Sequence, residues 1–330
     1  MKFNFQLDPA SPQTKLQQLV HAINEAISNG LLEEGDFLPS VNRLSRQSGL
    51  SRDTVFKAYS LLKQRSIIAS TPTKGYFVSS LSFRVMLLMD DFSAFKEQLY
   101  TSFRNNLPDN YSVDLLFHHY NPDVFEQLIL NSLGRYSMYV VMNPDNRKVE
   151  SVLRKIDPNK LLILDMGTPD NTELSYITQD FTIGVVDCLR EGLSLIRKYR
   201  ELHLVFPDKL SHPREFIQSF SYFCSSARLH HSLIRNIKCH EVEAGQAFLV
   251  IRDDDLVHII RQCRAKGFEP GREVGLISYN DTPMKEIVWN GITTISVDFE
   301  EMGSRAARFV ETKEKVFSTL APRLFIRGSL

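Results

Sequence analysis

Between residues 11 and 28 the apolar side chains Leu16, Leu19, Val20, Ile23, Ala26 and Ile27 return at the spacing of one buried helical stripe. The pattern predicts an amphipathic helix from Ser11 to Ser28, closed by Asn29-Gly30. After a loop, Ser40 follows Pro39 as the N-cap of a short second helix that turns Val41 and Leu44 inward. Gly49 breaks that pattern. Ser51 then caps a third helix with an inner stripe of Val55, Ala58, Tyr59 and Leu62, and Thr54 stands where a capping box carries Glu or Gln. From Ile68 the period falls to two, and Pro72-Thr73-Lys74-Gly75 separates this run from Tyr76-Phe77-Val78, which predicts a β-hairpin. Three helices and a hairpin make a winged helix-turn-helix over residues 1–79, with residues 80–82 as a short polar joint.

Beyond Phe83 the texture changes. Short apolar runs ("FRVMLLM", "VDLLF", "MYVVM", "LLILDM", "LHLVF", "AFLVI", "VGLISY") alternate with helical segments at Phe92–Asn105, Pro122–Leu133, Phe181–Tyr199 and Leu256–Lys266. Strands alternating with helices predict parallel sheets covered on both faces. Roughly ten strands exceed what one open sheet usually holds, so residues 83–330 are expected to form two lobes with a ligand cleft at the carboxyl ends of the strands. The expected class is α/β: a winged helix-turn-helix followed by a two-lobed domain with parallel sheets.

Composition changes this picture in one place. The 330 residues carry a formal net charge of zero, with 43% hydrophobic and 24% charged residues, ordinary for a globular protein. From Phe37 to Ser79, however, seven Lys or Arg face one acidic residue, Asp53. That local excess suits a polyanion. The four cysteines are widely spaced in or beside apolar segments, which suggests reduced thiols and neither a disulfide framework nor a zinc knuckle. The N-terminal "MKFNFQLDPA" lacks the apolar core of a signal peptide, and no run approaches a membrane span. A cytoplasmic protein without a membrane segment is expected.

A short helix, a turn at Gly49 and a second helix opening on "SRDTV" form the geometry that inserts a helix N-terminus into the major groove. Arg52 suits a guanine edge or a phosphate. Ser40, Ser51 and Thr54 offer hydroxyls to phosphates, Arg43 and Arg46 add charge, and Lys74-Gly75 forms the wing tip. The stretch "GDFLPSVNRLSRQSGLSRDTVFKAYSLLKQRSIIASTPTKGYFV" resembles the N-terminal domain of GntR-family bacterial transcription regulators over residues 11 to 79. The resemblance implies DNA contacts at Arg52, Thr54, Lys74 and Gly75. One departure is Asn42, where the family carries Arg; Arg43 is displaced by one residue, about 100° around the helix.

The tail, "AFLVIRDDDLVHIIRQCRAKGFEPGREVGLISYNDTP", "ITTISVDFEEMGSRAARFV" and "RLFIRGS", is similar to the effector domain of LacI/GalR regulators and periplasmic sugar-binding proteins. The resemblance is carried by residues 245 to 329 and is weaker from 83 to 244. It implies a homodimer that binds a small molecule, commonly a sugar, between two lobes and transmits closure to paired heads on palindromic operator DNA. A sugar site needs bidentate polar groups for hydroxyls and an apolar face for C–H atoms. By position the resemblance assigns Asp253, Asn280, Arg214, Asp91 and Phe95 to the ligand. Each also has a plainer role: Asp253 as a helix cap, Phe95 as core, and Asp254 and Asp255 as acids favoured by the helix dipole. Ser278 and Tyr279 replace the family's Gly and Phe. A monosaccharide or related polyol is the expected effector, with a sugar phosphate or another metabolite as alternative.

An enzyme is the rival class, as a DNA-binding head fused to a catalytic domain. No phosphate-cradling Gly-rich loop or G-x-S-x-G elbow is present in the sequence. The adjacent pairs His118-His119 and His230-His231 point to opposite faces when on a strand, which argues against a metal site in either pair. No cofactor is expected. A constitutive DNA-binding structural protein is a third reading, disfavoured because it leaves the sensor-like lobes idle.

Overall fold

A computed structural model describes residues 3, 5–65, 67–72, 75–79, 83–144, 147–167, 169 and 173–330. The head holds three helices, α1 (Lys15–Ser28), α2 (Val41–Ser48) and α3 (Arg52–Gln64), and a hairpin of β1 (Ile68–Thr71) and β2 (Gly75–Val78). Helix α1 starts four residues later than its apolar period suggests because Thr14 and Gln17 form a reciprocal capping box. Ser40 and Ser51 cap α2 and α3 as expected, and Gly49 closes α2 at φ 71°. The buried Tyr59 hydroxyl donates to the Pro39 carbonyl at 2.8 Å, tying α3 to the entry of α2. Hairpin register runs from Ile68 opposite Val78 to Thr71 opposite Gly75. Lys74 and the joint 80–82 lie outside the described residues.

The chain then builds β3 (Phe83–Met89), α4 (Ala94–Asn105), β4 (Tyr111–Phe117), α5 (Pro122–Ser132), β5 (Met138–Met142), α6 (Arg147–Leu153), β6 (Leu161–Asp165) and β7 (Ser175–Gln179) of a first lobe. It crosses to a second lobe of α7 (Ile183–Glu191), α8 (Leu193–Ile196), β8 (Glu201–Val205), α9 (Glu215–Ser226), β9 (His230–Ile234), β10 (Gln246–Val250), α10 (Asp253–Lys266), β11 (Val274–Tyr279), α11 (Pro283–Ile287) and β12 (Thr293–Ser296). It returns for α12 (Phe299–Thr312) and β13 (Phe317–Leu320), and crosses once more to end the second sheet with β14 (Arg323–Phe325). The sheet orders are β4-β3-β5-β6-β7-β13, all parallel, and β9-β8-β10-β11-β12-β14, parallel except for β14.

Alternate residues of β3 feed opposite faces of the first sheet. Val85, Leu87 and Met89 pack with Leu99, Phe103 and Met302, whereas Met86 and Leu88 pack with Phe125 and Ile129. This is why the run reads as continuously apolar. The segment expected as one helix from Phe181 to Tyr199 is two, with Gly192 between α7 and α8. Helix α1 docks on the first lobe. Asn24 Nδ2 donates to Gly134 O at 3.0 Å, Lys160 pairs with Glu25 at 3.3 Å, and Lys313 donates to the Ser28 carbonyl.

Candidate nucleic-acid interface and interlobe cavity

In the head, the two helix-turn-helix N-termini are ordered by their own serines. Ser40 Oγ accepts from Arg43 N at 3.3 Å, and Ser51 Oγ accepts from Thr54 N at 3.1 Å. The Ser51 and Thr54 hydroxyls share a further hydrogen bond at 2.8 Å. These exposed hydroxyls therefore hold the helix ends in shape. Arg52 is the first residue of α3, exposed, and has no ion-pair partner among the described residues. Arg43 and Arg46 are exposed along α2, with Arg46 Nε reaching Asn42 O at 3.4 Å. Gly75 opens β2 at φ 79°, a left-handed conformation that a side chain would strain.

Between the lobes lies a cavity of about 730 Å³ at the carboxyl ends of the strands, bordered by Asn143, Thr178 and Gln179 from the first lobe and by His212 and Arg214 from the second. Three of these present buried polar atoms without a hydrogen-bond partner among the described residues: Asn143 Oδ1, Thr178 Oγ1 and His212 Nε2. Such orphans are costly unless something polar satisfies them. The His212 ring sits among Phe181, Phe216 and Tyr279, with centroids 5.0 to 5.3 Å away. Burial pushes its pKa down to about 3, so the imidazole is neutral at pH 7 and offers one donor and one acceptor.

Beneath the cavity a polar network joins the lobes. Gln179 Nε2 donates to the buried Asp165 carboxylate, and its Oε1 accepts from the Tyr279 hydroxyl of the second lobe at 3.0 Å. Burial pushes Asp165 up to about 6, with Lys96 and Gln179 opposing and Asp90 and Asp91 adding to the rise. Lys96 Nζ contacts Asp90, and Asp91 Oδ1 at 2.6 Å. Burial alone lowers the Lys96 pKa, but the surrounding carboxylates outweigh it and hold the ammonium above its ordinary value. Three carboxylates share one ammonium, so one of them retains its proton most easily.

Of the five ligand residues expected from sequence, Arg214 alone borders this cavity. The Asp91 carboxylate is engaged by Lys96 and by the Tyr120 hydroxyl at 3.2 Å. Phe95 packs on Phe299 at 4.8 Å between centroids. Asp253, first residue of α10, pairs with Lys285 at 2.8 Å, and that lysine also donates to the carbonyls of Tyr279 and Asn280. Asn280 sits at φ 61° with Oδ1 buried and unpartnered among the described residues. Lys96 and Lys285 were not singled out by sequence reading. Their signal was present: Lys96 falls three positions before Leu99 and seven before Phe103, on the buried stripe of α4. Asp254 and Asp255 lie in the first turn of α10, as their plainer reading holds.

His118 is buried with Nε2 3.0 Å from Met142 O, and no three His, Cys, Asp or Glu side chains converge as a metal requires among the described residues. No helix among the described residues is long and apolar enough to cross a membrane.

Residues 15–78 match the family model of bacterial regulatory proteins, gntR family, and residues 195–329 match a periplasmic binding protein-like domain. The chain is 41% identical over 66 residues to the HTH-type transcriptional regulator YjiR of Escherichia coli, covering 20% of this chain and 14% of that relative's length. It is 31% identical over 94 residues to the HTH-type transcriptional repressor YtrA of Bacillus subtilis, covering 28% of this chain and 72% of YtrA. Among solved structures, a LacI family transcriptional regulator from Lactobacillus casei with bound sucrose superposes with a TM-score of 0.62 at 14% identity, over 75% of this chain and 99% of the other. The two-lobed fold is thus that of LacI-type regulators, and through its head the chain belongs to the gntR family of bacterial regulatory proteins.

Proposed function

We propose that the protein is a transcription regulator, not an enzyme, whose winged helix-turn-helix reads operator DNA and whose interlobe cavity senses a small polyhydroxylated molecule. Domain limits follow the same division: residues 1–79 read DNA, 80–82 join, and 83–330 sense ligand and dimerise. Ser40, Arg43, Arg46, Ser51, Arg52, Thr54, Lys74 and Gly75 form the DNA-facing set, and Arg214 leads the ligand set. The observation that carries this reading is a cap-ordered helix-turn-helix docked through α1 onto a lobe whose opposite end borders a cavity with unsatisfied polar atoms beside aromatic rings. Polar orphans beside rings suit sugar hydroxyls and C–H faces. A sugar bound in the L. casei structure supports the same ligand class. The protein acts in the cytoplasm as a homodimer on a palindromic site, and ligand shifts its DNA affinity only by its differential affinity for the two lobe arrangements. A sugar phosphate is the second reading, favoured by the guanidinium groups of Arg154 and Arg214 on the cavity wall.

Two measurements test the proposal. Binding to a duplex selected from a random library, at physiological salt, is expected to exceed binding to random duplex, and Arg52→Ala is expected to cost about 1–3 kcal/mol on the selected site. A thermal-shift screen across sugars and sugar phosphates is expected to find a stabilising member. Equal affinity for every duplex, or no stabilisation by either class, overturns the corresponding half of the proposal.

A further inference from the structure

Helix α3 turns Val55, Ala58, Tyr59 and Leu62 into the head's core. Its outer face therefore carries Arg52, Asp53, Phe56, Lys57 and Ser60, all exposed. Two of these charges are already committed to each other, since Lys57 Nζ lies 2.8 Å from Asp53 Oδ2. Arg52 and Phe56 are four residues apart, one turn up the same face. Phe56 is a large aromatic side chain left 54% exposed. Among the described residues it makes no ring contact, unlike Phe37, which pairs with Phe77 on the wing.

We infer that Phe56 is a specificity-determining residue that packs against a thymine 5-methyl group one step from the base read by Arg52. The inference rests on the proposal that this head reads DNA. Base edges in the major groove present hydrogen-bond donors and acceptors, with the thymine methyl as the apolar exception. An aromatic ring on the reading face of a groove-inserted helix finds its largest apolar partner there in such a methyl. Hydrogen bonding cannot substitute, because the Phe ring has neither donor nor acceptor. The contact selects thymine over cytosine at its position.

The test uses the full chain and the duplex it selects from a random library. Each thymine of that duplex is replaced in turn by deoxyuridine, which removes the methyl and keeps every hydrogen-bonding group. Wild-type protein is expected to lose about fourfold in affinity per half-site at one position, the value of one buried methyl-sized group. Phe56→Ala is expected to bind more weakly and to lose nothing further on the deoxyuridine duplex. Wild-type indifference to every replacement overturns the inference without needing any variant. A deoxyuridine penalty that persists in Phe56→Ala, or a change in oligomeric mass in that variant, assigns the ring another role and overturns it too. Failure to select any sequence overturns the DNA-reading proposal as well, so the two failures are distinguishable.

Discussion

The Tyr279 hydroxyl of the second lobe donates to Gln179 Oε1 of the first across 3.0 Å, and both side chains are buried. The two residues are 100 positions apart in sequence. Removing the donor leaves a buried acceptor unsatisfied, which costs more than the bond itself contributes. Tyr279→Phe is therefore expected to lower stability by about 1–3 kcal/mol in urea denaturation. A change below a few tenths of that range sinks the network's structural role.

Asp165 gives the protein a pH signature. Its carboxyl titrates at about 6 when folded, against an ordinary 3.8, because burial disfavours the charge. Between those values the folded chain holds a proton that the unfolded chain releases. This group's contribution to stability therefore falls as pH rises from about 4 to about 6 and is flat above, by on the order of 3 kcal/mol in total. Other carboxylates, such as Asp281 beside Arg327, run the opposite way, since Arg327 overcomes the effect of burial and holds that pKa down. The readout is the difference between wild type and Asp165→Asn, measured from pH 4 to 7. A difference that does not change with pH removes the assignment.

The Lys285–Asp253 pair separates a structural role from a ligand role. Asp253 is 63% exposed, so the ion pair itself contributes little. Lys285, by contrast, supplies the hydrogen bonds to two buried carbonyls. Lys285→Met is expected to cost about 1–3 kcal/mol, and Asp253→Asn less than about 1 kcal/mol. In an effector thermal-shift assay Arg214→Ala is expected to shrink the ligand response and Asp253→Ala to leave it intact. The reverse ranking would place the effector away from the cavity described.

Gly303 lets α12 lie directly on α4. A Cβ there would stand 2.4 Å from Leu99 O and 2.9 Å from Phe103 N, both backbone atoms that cannot step aside. Gly303→Ala forces the helices apart and is expected to cost at least about 1–3 kcal/mol, despite the helix propensity that alanine gains. Unchanged thermal stability would mean the helices separate freely.

The head was legible from sequence because its signals are local: Ser40 and Ser51 as caps, Gly49 as a stop, and a period change at Ile68. Central strands such as β5 and β6 announced themselves as unbroken apolar runs. Strand β9, "HHSLI", did not, because it is an edge strand whose first three residues are exposed. Strand β7, "SYITQ", buries Ser175, Thr178 and Gln179, polar residues that read as loop without their partners. The caps of the head and the two-lobed division follow from local pattern, whereas the lysines that occupy Asp91 and Asp253 do not. Asp165 meets Gln179 fourteen residues away, and Gln179 meets Tyr279 one hundred away, so only the folded sheets bring that chemistry together.

Strand β6 has a mechanical meaning. Lys160, immediately before its first residue, holds Glu25 of α1, and Asp165, its last residue, holds Gln179. Five residues of strand span roughly 17 Å, and hydrogen bonds to β5 and β7 on either side keep this one from stretching or slipping. The strand is thus a laterally braced, stiff connection between its two ends. Lys160 and Asp165 put the contact with the head's first helix and, through Gln179, the contact with Tyr279 of the second lobe at opposite ends of one strand.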